Sequence, residues 1–319
     1  MVTDMIPPAA APAFLADAGW GNAAVVPLAG DASFRRYFRV LDAGRRAVLM
    51  DAPPPQEDPR PFISIAEHLN ADGFAAPRIL ARDLEQGLVL IEDFGDLRIK
   101  EHLEADPSDE LAVYDRAVRL LADLHRLPAA DLPPYDRAVY QRETGLLTEW
   151  YCPAIGLNVD EEAYVRAWDS VLPLVEASAS PTVTVLRDYH AENIMLIDRA
   201  ASHGLGLLDF QDALAGHPAY DLVSLLPGCP ARRASGCGGG NAGPLQGSRL
   251  TAGRFRRRLC SAWSAAQRED HRHLHPAVEA GWKAALPVLP AAHVGAVGAR
   301  PRPSRAGAGG GLVRGQYPG

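Results

Sequence analysis

Three short apolar-rich runs, AVVPLAG, RRYFRVLD and RAVLMDA, follow one another across residues 24–52, with a turn around Asp31 and Ala32. Adjacent short strands of this kind predict an antiparallel meander. Phe62, Ile65, Ala66 and Leu69 then recur at i, i+3, i+4 and i+7, the apolar stripe of an amphipathic helix, with Pro61 suited to its first turn and Gly73 to its stop. GLVLIEDFGD is an apolar strand running into an acidic turn that contains a glycine. Ala117, Leu120, Leu121 and Leu124 repeat the helical spacing. Trp168, Val171, Leu172 and Val175 predict a further helix from Asp160 to about Ala177, with Pro173 a candidate kink. TVTVLRD, IMLI and LGLLDF are short strands separated by turns, and YDLVSLL begins a last helix. The order is strands with one helix, then helices around a small sheet: an α+β chain.

After Leu226 the patterning stops. The remaining 93 residues hold 17 Gly and 9 Pro, contain no Ile or Met, and offer only RFRRRLCSAWSAAQRED and HPAVEAGWKAAL as short helices without a wide apolar face. That Gly and Pro content belongs to low-complexity or disordered chain. Charge changes at the same point. Through Leu226 there are 18 Lys+Arg against 36 Asp+Glu, and beyond it 14 against 3, so the net charge of -7 conceals two compositions. The reversal, with the loss of helical periodicity, is what GC-rich coding sequence translated out of register would produce; a flexible basic tail is the alternative.

The chain has 319 residues, 47% of them apolar, enough for one large domain or two lobes. It has no apolar run of 18 residues, and MVTDMIPPAAAPAF lacks the basic and apolar segments of a signal peptide, so the expectation is a cytoplasmic chain with no membrane partner. Cys152, Cys229, Cys237 and Cys260 show no paired spacing, which argues against a disulfide framework. HRHLH at 271–275 with Cys260 fits no standard zinc spacing.

The chemistry concentrates in LRDYHAENIMLI and LLDFQD. Asp188 and Asn193 are spaced D-x-x-x-x-N, and Asp209 ends the following apolar run. Phosphoryl transfer needs one carboxylate to orient the attacking hydroxyl and accept its proton, and an Asn with a second carboxylate to hold magnesium. Hard oxygen donors suit that ion, which completes its shell with phosphate and water. Such residues also cap turns, so the spacing by itself is a weak signal.

RDYHAENIMLI, GLLDFQDA and GHPAYDLVSLL closely resemble the aminoglycoside phosphotransferase family, the small-molecule branch of the protein-kinase-like fold. GDASFRRYFRV, VLMDAPP and LIEDFGD are similar to its sugar kinases, which phosphorylate the anomeric hydroxyl of N-acetylmuramate and N-acetylglucosamine in bacterial cell-wall recycling. The likeness is traced over about residues 12–226. It implies a two-lobed fold: a mainly antiparallel-sheet N-lobe over 1–95, a larger helical C-lobe over 96–226, and an irregular tail over 227–319. It implies ATP and Mg2+ as cofactors and an amino sugar as the small-molecule partner, with no nucleic acid. Asp188 would be the catalytic base and Asn193 and Asp209 the metal ligands. Ile91, Glu92, Asp93 and Phe94 would form the hinge whose backbone meets adenine, and Gly30 to Ser33 would lie over the phosphates.

Two positions depart from the family pattern. No lysine stands on the third strand, where RAVLMDA offers Met50 and Asp51, so Arg35, Arg36 or Arg39 on the preceding strand is the candidate phosphate cation; Arg36 enters the cofactor-binding set with Gly30 and Ser33. Leu186 occupies the place of a His two residues before the catalytic aspartate. The Gly30–Ser33 turn lacks GxGxxG and also reads as a plain hairpin, although its amides and the Ser33 hydroxyl could contact phosphate oxygens. Glu67 reads best as a surface glutamate, His190 as a residue shaping the loop and Asp221 as a loop brace or helix cap, while Asp212, three residues beyond Asp209, could approach metal or sugar. The competing functions are a catalytically silent nucleotide-binding module and a kinase of an aminoglycoside or choline-like amine.

Overall fold

The computed structural model of the protein describes residues 5–30, 34–176, 180–199 and 201–225. Ser33 and everything expected of residues 227–319, the tail and the HRHLH cluster included, lie outside the described residues.

The meander forms as β1 (Ala24–Gly30), β2 (Arg36–Asp42) and β3 (Arg45–Asp51), preceded by a short helix, α1 (Ala11–Asp17). The predicted amphipathic helix is α2 (Arg60–Ala71), burying Phe62, Ile63, Ile65, Ala66 and Leu69. β4 (Ile79–Asp83) and β5 (Leu88–Glu92) complete an antiparallel sheet in the order β1-β2-β3-β5-β4. β4 escaped prediction because, as an edge strand, it is only half buried, and its ILARD sequence carries little apolar alternation.

Strand parity divides the sheet into two chemical faces. Phe38, Val40, Ala47, Leu49, Leu88 and Leu90 pack beneath α1 with Leu15 and Trp20. Val48, Met50, Val89 and Ile91 face the other way and join α2 and the helical region in a single apolar cluster. Central strands β3 and β5 are therefore buried on both faces, which explains their near-continuous apolar sequence.

The helical region contains α3 (Ile99–Ala105), α4 (Glu110–Leu124) and α5 (Arg137–Leu146), the last continuing through a π-helical turn at Leu147–Tyr151 into α6 (Cys152–Ala154). α7 (Glu161–Glu176) runs through Pro173 as one helix. α4 is the central core element: Val113, Tyr114, Ala117, Val118, Leu120, Leu121, Ala122 and Leu124 are all buried. Four short strands follow, β6 (Val183–Val185), β7 (Ile194–Leu196), β8 (Leu205–Leu207) and β9 (Leu214–Gly216), and then α8 (Ala219–Leu225). β6 pairs with β9 and β7 with β8, both antiparallel. Two connections, 186–193 and 208–213, thus leave adjacent strand ends.

The two halves interlock directly. Leu207 N–H donates to the Ala75 carbonyl at 2.8 Å, and Ala75 N–H to Ser202 Oγ at 3.1 Å. Gly206 is required here, since a Cβ at that position would stand 2.7 Å from the Phe94 ring. No helix of the described residues is long and apolar enough to cross a membrane. Cys152 is a buried free thiol.

His125, at the end of α4, is buried, and desolvation lowers its pKa from 6.5 to about 3. Below pH 6.5 the unfolded chain takes up a proton that the native chain refuses, so stability is lost as pH falls toward 3, at about 1.4 kcal/mol per pH unit. Urea unfolding at pH 6.5 and 4.5 is expected to show about 2 kcal/mol less acid destabilisation in His125→Gln than in the wild type. Equal differences in the two proteins would contradict the burial of a neutral imidazole.

Candidate active site

The 186–193 connection is held from beneath. Asp221, in the first turn of α8 and fully buried, accepts hydrogen bonds from the Leu186 amide (2.7 Å) and the Arg187 amide (2.8 Å). Ser224 Oγ donates to the Arg187 carbonyl at 3.0 Å. Arg187 adopts φ +70°, a left-handed backbone that an arginine occupies only under constraint, and these bonds supply the constraint. Burial pushes the Asp221 carboxyl up to about 7, while the two amides favour its charged form. Of the two roles open to it in sequence, bracing the loop is the observed one. Tyr189, wholly buried, ties the same loop to α4 through its hydroxyl, which donates to the Ala117 carbonyl at 2.7 Å.

The loop then folds on itself. The His190 amide donates to the Asp188 carbonyl (3.0 Å) and the Asn193 amide to the His190 carbonyl (2.9 Å). Asn193 Nδ2 reaches both the Asp188 carbonyl at 3.1 Å and Asp209 Oδ2 at 3.3 Å, and lies 3.4 Å from His190 Nε2. Asp188, Asn193 and Asp209 are therefore gathered at one place. The Asp188 carboxyl is raised above the usual aspartate range, first by burial and second by the neighbouring Asp209 carboxylate. Asp209 has φ +57°, and its successor Phe210 stacks on Phe62 of α2 with ring centroids 5.1 Å apart. The carboxylate is thereby fixed relative to the upper sheet.

The side chains of the expected hinge, residues 91–94, serve architecture. Asp93 accepts from the Gly95 amide at 2.8 Å and pairs with Arg39 Nε at 2.8 Å; Arg39 also bonds Asp96 at 2.8 Å. Glu92 pairs with Arg78 (3.1 Å) and, from the helical half, with Arg199, whose guanidinium lies over the Phe94 ring. The Glu92 amide donates to the Arg78 carbonyl at 2.9 Å, and Ile91 is buried in the shared core. Gly30 pairs with Arg36 at the end of β1, immediately before the undescribed residues 31–33. Arg36 is not brought to the cleft. Its register partner is Asp51, which it binds at 2.5 Å and 2.8 Å, and its guanidinium stands near the Phe38 ring on the α1 face. Glu67 sits in an exposed pair with Arg82 at 3.1 Å.

The site also contains residues that sequence reasoning passed over. Glu143 of α5 binds Arg187 Nη2 at 2.5 Å, accepts from the Tyr220 hydroxyl at 3.1 Å, and accepts from the Tyr135 hydroxyl. α5 buries no residue, so its sequence carried no signal of this cluster. Gln211 donates to Asp209 Oδ1 at 2.9 Å and to Asp212 Oδ2 at 3.2 Å, while its own side-chain oxygen is buried without a hydrogen-bond partner. The side-chain oxygens of Asn193 and Asp209 are hard donors, the kind that suits a divalent cation. Among the described residues no three His, Cys, Asp or Glu side chains form a metal-holding group, so a cation here would depend on ligand oxygens as well.

This arrangement of two loops below an antiparallel sheet coincides with a family match. Residues 24–268 match the phosphotransferase enzyme family. The chain belongs to that family. The match runs past residue 226, farther than the likeness traced in the sequence. A Pseudomonas aeruginosa protein named N-acetylmuramate/N-acetylglucosamine kinase is 42% identical over 214 residues, 65% of this chain and 61% of that protein. A Caulobacter vibrioides protein of the same name is 32% identical over 258 residues, covering 68% of this chain and 70% of its own. The chain thus spans about three fifths of the Pseudomonas relative's length. Among solved structures, a choline/ethanolamine kinase family protein from Mesorhizobium loti aligns with TM-score 0.53 at 17% identity, covering 86% of this chain and 78% of that one. An aminoglycoside phosphotransferase from Streptomyces rimosus, in complex with ADP and streptomycin, aligns with TM-score 0.53 at 16% identity over 82% and 96%. Both show the protein-kinase-like fold.

Asp221→Asn keeps one acceptor but turns an amide donor toward a backbone donor. The expected loss is about 1–3 kcal/mol of stability, read by denaturant unfolding. A variant as stable as the wild type would mean that the loop does not hang on this carboxylate.

Proposed function

We propose that this chain is an ATP-dependent kinase of an amino sugar, phosphorylating the C1 hydroxyl of N-acetylmuramate or N-acetylglucosamine in the cytoplasmic recycling of peptidoglycan. The observation that carries the reading is the gathering of Asp188, Asn193 and Asp209, with Asn193 bonded at once to the Asp188 carbonyl and the Asp209 carboxylate. The names of the Pseudomonas and Caulobacter relatives support the choice of sugar. In this reading the N-lobe ends near residue 95 and the C-lobe follows.

Bound ATP with Mg2+ would supply the phosphoryl group and neutralise its charge, with Asn193 and Asp209 as the protein ligands. Asp188 receives the hydrogen bond of the sugar hydroxyl and takes its proton as that oxygen attacks. Its raised pKa makes it a better proton acceptor than an exposed aspartate. The rigid hinge, locked by Arg39–Asp93 and Glu92–Arg199, offers backbone groups around Asp93 and Phe94 to the adenine edge. Gly30 and Ser33 would flank the phosphates. Catalysis of this kind is chiefly positioning and electrostatics.

ADP release coupled to a spectrophotometric readout, with N-acetylmuramate, N-acetylglucosamine, an aminoglycoside and choline as acceptors, tests the reading. Turnover is expected with the two amino sugars. Nucleotide binding without turnover on any acceptor would favour a silent module instead. Asp188→Asn should lower kcat by about 10²–10⁴-fold and leave nucleotide affinity near the wild-type value; an unchanged kcat would remove Asp188 from the role of base.

A further inference from the structure

A kinase needs a cation over its nucleotide phosphates, ordinarily a third-strand lysine held by a helix glutamate. In this chain the corresponding strand presents Met50, fully buried in the apolar core, and α2 presents Glu67 paired at the surface with Arg82. The charge must come from elsewhere. Three arginines at the start of β2 were indistinguishable in sequence, and the sheet separates them. Arg36 lies on the α1 face and is held by Asp51. Arg39 is spent on the hinge, gripping Asp93 and Asp96.

Arg35 immediately precedes β2, and alternation continued back from Tyr37, the register partner of Met50, gives it the parity opposite to Arg36, toward the missing lysine's position. Its side chain is only 11% exposed, and its guanidinium lies between two carboxylates: Nη2 is 3.9 Å from Asp209 Oδ1, and Nε is 4.0 Å from Glu57 Oε2. Glu57 in turn accepts from the Phe34 amide at 3.1 Å, which anchors it next to Arg35. Both arginine–carboxylate separations exceed hydrogen-bond length. They are through-space attractions of a kind that an anionic, oxygen-rich group entering beside Asp209 could take over.

We propose that Arg35 is the nucleotide-phosphate cation of this protein and that Glu57 orients it, an arginine–glutamate pair from the turn region replacing the lysine–glutamate pair of strand and helix. The proposal rests on the kinase reading above. A planar guanidinium at this point can bind two phosphate oxygens at once, and it stands beside Asp209 where the phosphates would enter. It also explains how the third strand can carry Met50 with the site still supplied with positive charge.

Isothermal titration of the full chain with ADP in Mg2+ and, separately, with adenosine tests the pair. Arg35→Gln is expected to weaken ADP by about tenfold or more while adenosine binds within twofold of the wild type, because only the phosphates meet the guanidinium. Arg35→Lys should recover part of the ADP affinity. Glu57→Gln should weaken ADP and spare adenosine. Thermal melting of each variant without nucleotide reports its fold. ADP affinity within twofold of wild type in Arg35→Gln would overturn the proposal, as would an equal loss of ADP and adenosine, the mark of a merely structural residue. Glu57→Gln indistinguishable from wild type would remove the orienting role. A wild-type chain that binds neither ligand would instead bring down the kinase reading itself.

Discussion

The Asp221 carboxylate, out of reach of solvent, accepts the amides of Leu186 and Arg187, and the geometry of the site descends from that pair of bonds. A buried carboxylate is costly unless its oxygens are satisfied, and here each oxygen has an amide. In return the loop acquires a backbone that it would not adopt alone, with Arg187 left-handed and Asp188 following directly. Glu143 holds the Arg187 side chain from α5, so the residue before the proposed base is fixed through both its main chain and its guanidinium.

The second constraint is the apolar cluster shared by the lower face of the sheet, α2, α4 and the short strands. Phe62 and Phe210 stack across it, and Phe94 fills the space left by Gly206. Close packing of this kind transmits position, because side chains at interior density have little room to slide. Asp209 is thereby placed with respect to β2 and its arginines, and a salt-bridge layer of Glu92–Arg199 and Arg39–Asp93 fixes residues 92 and 93. Polar groups occupy the seam between halves while apolar groups hold its depth.

Much of this was legible from residue order. β1 to β3, α2, α4, α7 and the strands β6 to β8 follow from local periodicity, and Asp188, Asn193 and Asp209 stand out in the sequence because each lies within a few residues of a strand end. Among the elements missed were those with weak local patterns: the Ala-rich α1, the half-exposed β4, the short α3, α6 and β9, and α5, which buries nothing. Arg36 was favoured as a cofactor contact where the structure turns it to Asp51. Adjacent arginines in RRYFR look alike in composition, and one step of strand parity sends each to a different face.

The amino-acid sequence by itself determined the alternation of strands and helices, the residue make-up of the two loops and the family, because those depend on neighbours a few positions apart. Only the tertiary structure decided which arginine reaches Asp209, that Asp221 supports the loop from 34 and 35 residues away, and that Glu143 joins it. Those pairings link residues distant along the chain, and the register of β2 against β3 and the docking of α8 and α5 on the loop bring them together. No local pattern encodes a distance between elements; packing sets it.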